Sequence, residues 1–256
     1  MNAALQTPLP PPAPAPEPAR LSEGARLVDT FIAPTKTFAD LRRNASWWAP
    51  FAIMAIVAVF FVWVVDKNIG FQKVTNNNIQ MSPKAADRLE RMPADQRAQA
   101  MDRQVAATRY ISYGFFLFIL IWNVIIAAIL LATFKFGASA DVSFKTSLAI
   151  IMYASLPSVV KSLLGIVSVA AGVNADSFTF QNPVATNPGY FLSVADNPFL
   201  YRLATSLDII MIWILVLTAI GFSSASKVKR STALAIVFGW YVVFVLISAG
   251  AGALFS

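Results

Sequence analysis

Two charged side chains, Lys161 and Asp208, stand inside long apolar stretches. They are the first residues whose types and places point to chemistry. The chain has no Cys and no His. That removes a disulfide framework, a thiolate nucleophile, a Ser-His-Asp triad, a Cys/His zinc site and a His-ligated haem. Carboxylate, Lys, Ser/Thr and Tyr chemistry remain. The eleven glycines never form GxGxxG, and neither a phosphate loop nor a paired acidic motif is visible. No residue is therefore nominated as catalytic, cofactor-binding or metal-ligating, and no cofactor is expected.

An ionisable residue within a bilayer is costly, and it pairs or serves a transport path. If the third and fourth apolar segments are antiparallel neighbours, Lys161 lies roughly 13 Å and Asp208 roughly 8 Å below the same surface, at 1.5 Å per helical residue. The two charges are then expected to meet. The pair reads first as an ion pair that sets helix register, and second as an ion or proton relay. Asn123, Ser155 and Ser158 are the candidates for a surrounding hydrogen-bond network. Pro157 sits mid-segment and is expected to kink its helix. The carbonyl it frees would be met by a neighbouring helix or by Ser155 and Ser158.

The elements that must position this pair follow from composition. Of 256 residues, 57% are hydrophobic and 13% charged, with a mean hydropathy of +0.62. Soluble domains are closer to 45–50% apolar and about 25% charged. Five segments are long enough to cross a hydrocarbon core: 47–65, 110–134, 146–172, 203–225 and 232–255. Of the 20 basic and 13 acidic residues, only Lys161 and Asp208 fall inside them. The expectation is an all-α integral membrane bundle, residues 47–255, with five transmembrane helices.

Residues 1–20 hold seven of the fifteen prolines and read as a disordered tail. Residues 21–46 read as two short amphipathic helices broken at Pro34, lying in the headgroup plane through Phe31, Phe38 and the basic Arg26, Lys36, Arg42 and Arg43. Between the first two spans, Ser82-Pro83 and Pro93-Ala94 read as helix starts, the second running unbroken into span two. The stretch 173–202, with three Asn-Pro pairs and the aromatics Phe178, Phe180, Tyr190 and Phe191, reads as an ordered cap on the membrane. A ligand-binding lid is its sharper reading.

The net charge of +7 points to anionic lipid and to topology rather than to nucleic acid. The short basic loops, with Lys227, Lys229 and Arg230 the clearest, place the N-terminus in the cytoplasm and the C-terminus outside. Arg42, Arg43, Lys227, Lys229 and Arg230 are the expected membrane-surface anchors. Ser248, Gly250 and Gly252 form a small-residue patch read as internal packing, and secondarily as a homo-oligomer contact. No repeat relates the two halves.

Three strings carry a resemblance: SLDIIMIWILVLTAIGFSSASKVK (206–229), MYASLPSVVKSLLG (152–165) and FIAPTKTFADL (31–41). Together with five spans they resemble the bacterial branch of the Yip (Ypt-interacting protein) domain family, over roughly residues 25–254. The resemblance implies an all-helical, five-span membrane protein. Eukaryotic members engage Rab-type GTPases in vesicle traffic and carry an Asp-Leu-x-Gly-Pro signature near the first span. Here that region reads NASWWAPF, so the resemblance does not carry GTPase binding over. The favoured function is a non-enzymatic protein of the bacterial inner membrane that binds lipid or an unidentified protein partner. The alternative is a small transporter or channel using Lys161 and Asp208.

Overall fold

A computed structural model of the chain describes residues 19–194 and 196–255. The proline-rich stretch 1–18 lies outside the described residues. Most of the helix starts carry a local signal in the sequence. Ser22 caps α1 (Glu23–Ile32), its Oγ accepting from the Ala25 amide at 3.1 Å. Pro34 disfavours a helical Ala33 and opens α2 (Pro34–Leu41) at its first position. After α3 (Trp48–Asn68), Gly70 takes φ +83°, a left-handed turn open to glycine at no steric cost, and α4 (Phe71–Gln80) begins. Pro83 starts α5 (Pro83–Glu90), although the Ser82 side chain makes no capping bond. Pro93 precedes α6 (Ala94–Ala132), which ends in a π-helical turn, Thr133–Gly137. α4 was not expected from the sequence, because FQKVTNNNIQ has no strong apolar period.

Ser143 caps α7 (Phe144–Ala154), its Oγ accepting from the Thr146 amide. α8 (Pro157–Ala170) continues the same apolar run after a two-residue break at Ser155 and Leu156, where Pro157 cannot donate. The cap follows, with a 3₁₀ turn (Pro188–Phe191). Then come α9 (Pro198–Ser206), α10 (Ile209–Ala225) and α11 (Arg230–Phe255). Among the described residues all regular structure is helical.

Four runs are long and apolar enough to cross a membrane: Trp48–Asn68, Ala94–Gly137, Phe144–Ala170 and Arg230–Ala251. α9 and α10, bent by 51°, make a fifth if they count as one span. α3 packs on α8, α6 on α7, and α10 against α2, α7 and α11. The main core joins Phe38, Phe134, Ile150, Met152, Leu156 and Phe222, all essentially inaccessible. Phe134 and Phe222 stack with centroids 4.2 Å apart. Gly221 lets α10 approach closely: a Cβ there would collide with Ile150 and press on Phe38. A second cluster of Phe61, Val65, Val74 and Phe178 lies under the cap.

Two expectations are corrected. The fourth segment is not one straight helix with Asp208 a turn and a half inside it. It breaks at Leu207–Asp208, because the Asp208 carboxylate caps the Ile210 and Met211 amides at 2.9 and 3.3 Å. Ser206 also turns back to bond the Leu203 carbonyl at 2.7 Å. The segment 21–46 does form two helices, but Phe38 and Arg26 do not face lipid. Both are fully buried. The α1–α2 hairpin folds against the bundle, with Phe38 at Gly221 and the Tyr153 hydroxyl donating to Glu23 at 2.6 Å. Burial of Phe38 and Leu41 against the core keeps from lipid the apolar surface that an interfacial helix would present to it.

Candidate functional site

The break between α9 and α10 turns Asp208 from a span residue into a node. Its backbone is extended, which frees the carboxylate to face both the helix start and the cap. Oδ1 accepts from the two α10 amides. Oδ2 accepts from Lys161 Nζ at 2.7 Å, Thr186 Oγ1 at 2.7 Å and Asn187 Nδ2 at 3.3 Å. Lys161 reaches it from α8, with about a quarter of its side chain exposed against 7% for Asp208. The Ile209 amide donates to the Thr186 carbonyl at 3.1 Å, and Tyr241 on α11 donates to the Ser206 carbonyl at 2.8 Å. Four parts of the chain (α8, the cap, α10 and α11) thus meet at one break.

The polar chain continues outward. Asn187 donates to Asn182 Oδ1 at 2.8 Å, and both are buried. Asn182 borders a cavity of about 310 Å³ between α4, the cap and α9, with Asn77, Thr179 and Tyr201 among its walls. Asn77 pins α4 to the cap by donating to the Ala175 and Phe178 carbonyls. Gly189 seats the cap on α9, where any side chain would run into Thr205.

Of the network candidates, only the charged pair meets. Asn123 donates to Met152 Sδ at 3.7 Å, inside the main core. Ser155 bonds back to the Ile151 carbonyl. None of the bonds described for the pair reaches Ser158. The partners of Asp208 are instead Thr186 and Asn187. The Asn-Pro pairs marked turns in the cap, but their side chains could not be assigned to a carboxylate more than twenty residues away without tertiary contact. Pro157 opens α8.

A second ionic cluster joins α1 to α2. Arg26, fully buried, donates Nε to Asp40 Oδ2 at 2.9 Å, and its Nη2 lies 2.7 Å from the same oxygen. Its Nη1 pairs with Glu23 at 3.2 Å. Arg43 pairs with the other Asp40 oxygen at 2.8 Å. Thr30 and Thr37 both donate to the Arg26 carbonyl. Burial alone would lower the Arg26 pKa, but the bond to Asp40 and the charges of Asp40 and Glu23 raise it above its ordinary value. The sequence signal was the acid-x-x-Arg spacing, which occurs at Glu23–Arg26 and again at Asp40–Arg43.

Arg42, Lys227 and Lys229 are exposed, and Arg230 reaches Thr35 Oγ1 at 3.4 Å. In the small-residue patch, Ser248 accepts from Arg202 at 3.2 Å. Among the described residues no three acidic side chains converge as a metal site requires.

The family model of the Yip1 domain matches residues 28–251, which includes both ionic clusters except for Glu23 and Arg26. No curated protein and no solved structure matches the chain.

Proposed function

The chain belongs to the Yip1 domain family, and from that premise we propose that it is a non-enzymatic membrane protein that holds a lipid or protein partner and contributes to membrane organisation. Family membership and the apolar helices make it a multi-pass integral membrane protein. From the resemblance to the family's bacterial branch we propose a bacterial inner membrane, and from the positive-inside rule an orientation with the N-terminus and the loop carrying Lys227, Lys229 and Arg230 in the cytoplasm.

The saturation of Asp208 carries the reading. Two amides, a hydroxyl, a carboxamide and an ammonium all point at one carboxylate. Such a group is held in place by its partners, and releasing it to bind an ion or a proton would strand several buried donors. That favours a fastener over a relay. A second reading as a small transporter draws on the chain Asp208–Asn187–Asn182, which leads to the 310 Å³ cavity.

Proteoliposomes separate the two. Vesicles holding the purified protein should leak protons, Na⁺ and K⁺ no faster than protein-free vesicles. A proton or cation flux that Asp208→Asn abolishes would sink the scaffold reading and install the transport one.

A further inference from the structure

We propose that the groove along the outer face of α2 is a site for the phosphate of an anionic membrane lipid. The groove, about 580 Å³, is lined by Leu21, Lys36, Ala39, Asp40, Arg42 and Arg43 among others. Leu21 and Ala39 give it an apolar floor, while Lys36, Arg42 and Arg43 supply the cations. Asp40 offsets Arg43 but not Lys36 or Arg42. It is 2% exposed, and both its oxygens are taken, one by the buried Arg26 and one by Arg43. Lys36 pairs with Asp29 at 2.9 Å, yet its side chain is 61% exposed. Arg42 is exposed and makes no ion pair among the described residues.

The neighbourhood adds positive charge. Arg230 reaches Thr35, the residue before Lys36. Lys227 and Lys229, in the same turn as Arg230, are exposed and also make no ion pair among the described residues. Glu23, Asp29 and Asp40 offset Arg26, Lys36 and Arg43, and Arg42, Lys227, Lys229 and Arg230 remain as the cationic excess around the groove. Arg presents a planar fork that matches a phosphate, and Lys a point charge.

Position argues for a lipid rather than a soluble anion. α2 packs on α10, and the short stretch 42–46 links it to Trp47 and Trp48 at the start of α3. Trp48 is 60% exposed, as expected of a ring at the headgroup level. A phosphate at the rim with glycerol or acyl carbons over Leu21 and Ala39 satisfies both surfaces. This inference rests on the reading of the chain as a lipid- or protein-binding membrane protein.

The test uses the full chain in detergent micelles containing phosphatidylglycerol and phosphatidylcholine in equal amounts. Retained lipid is counted by native mass spectrometry. Wild type should retain phosphatidylglycerol in preference to phosphatidylcholine. Each cation near an anionic surface contributes about a factor of five, so Lys36→Gln with Arg42→Gln should weaken retention about twenty-five-fold. The charge-matched pair Arg88→Gln with Arg103→Gln, on the exposed helices α5 and α6, should leave it unchanged. Equal loss in both pairs, or equal retention of the two lipids, overturns the site. Displacement of the lipid by 10 mM inorganic phosphate would show a soluble-anion site and overturn the lipid assignment. If the groove variant melts early, Lys36→Arg with Arg42→Lys should restore retention; failure to do so also counts against the site. Vesicle flux is independent of this measurement, so failure here leaves the scaffold reading standing, and a proton flux would leave the lipid site standing.

Discussion

Asp208 does three jobs with two oxygens. It begins α10, anchors the cap through Thr186 and Asn187, and neutralises Lys161. Removing one partner of such a pair leaves the other charge poorly solvated, which costs about 3–5 kcal/mol for a buried pair. Because a quarter of the Lys161 side chain is exposed, the Lys161 loss should fall at the low end. Lys161→Met and Asp208→Leu should therefore each lower the melting temperature in detergent. Asp208→Leu should lower it further, because the α10 amides and the Thr186 and Asn187 donors lose their acceptor as well. The double variant should be less destabilised than the sum of the two, by about 0.5–3 kcal/mol. Strict additivity would show that the 2.7 Å contact contributes no coupling.

At the scale of elements, the notable event is the recruitment of α1 and α2 into the fold. A pair of short helices next to a membrane ordinarily lies on it. Here the inner face carries Phe38 and Leu41 into the core, and a buried Arg26–Asp40 pair locks the two helices to each other. The Tyr153 hydroxyl extends that lock to α7 through Glu23. Hydrogen bonds to charged groups contribute about 1.5–3 kcal/mol. Tyr153→Phe should thus lower the melting temperature and speed proteolytic cutting within residues 19–43, with the spans left intact. If cutting there stays at the wild-type rate, the hairpin is held by apolar contacts alone. α6 is the opposite case. Its first turns, from Ala94 to about Arg109, are polar and mostly exposed, so the helix leaves the bundle before its apolar half begins.

The whole molecule has two dissimilar ends. One carries the cap, with its aromatic cluster and the Asn182–Asn187–Asp208 chain. The other carries the α1–α2 hairpin and an excess of Lys and Arg. If the basic end is cytoplasmic, labelling can show it, and the Cys-free chain makes the measurement clean. Single cysteines at Ser139, Lys227 and Ser193 should give one accessible site to an impermeant reagent on intact cells, that at Ser193. Labelling of Lys227→Cys with Ser193→Cys protected would invert the protein.

Membrane residence, helical class and approximate span positions were legible in the residues. Exclusion of charge from runs of about 20 apolar residues is a local property, set by the cost of placing charge in hydrocarbon. The Lys161–Asp208 pairing was foreseeable for the same reason, since two lone intramembrane charges have few partners to choose from. The rest depended on packing. Thr186 and Asn187 became ligands of Asp208 only because the cap folds down onto a broken helix. Arg26 and Phe38 looked like surface groups because an amphipathic helix has the same pattern whether lipid or protein covers its apolar side. Which of the two covers it is a competition between burial against lipid and burial against α7 and α10. Gly221, far away in the chain, tilts that competition, because a Cβ there would press on Phe38.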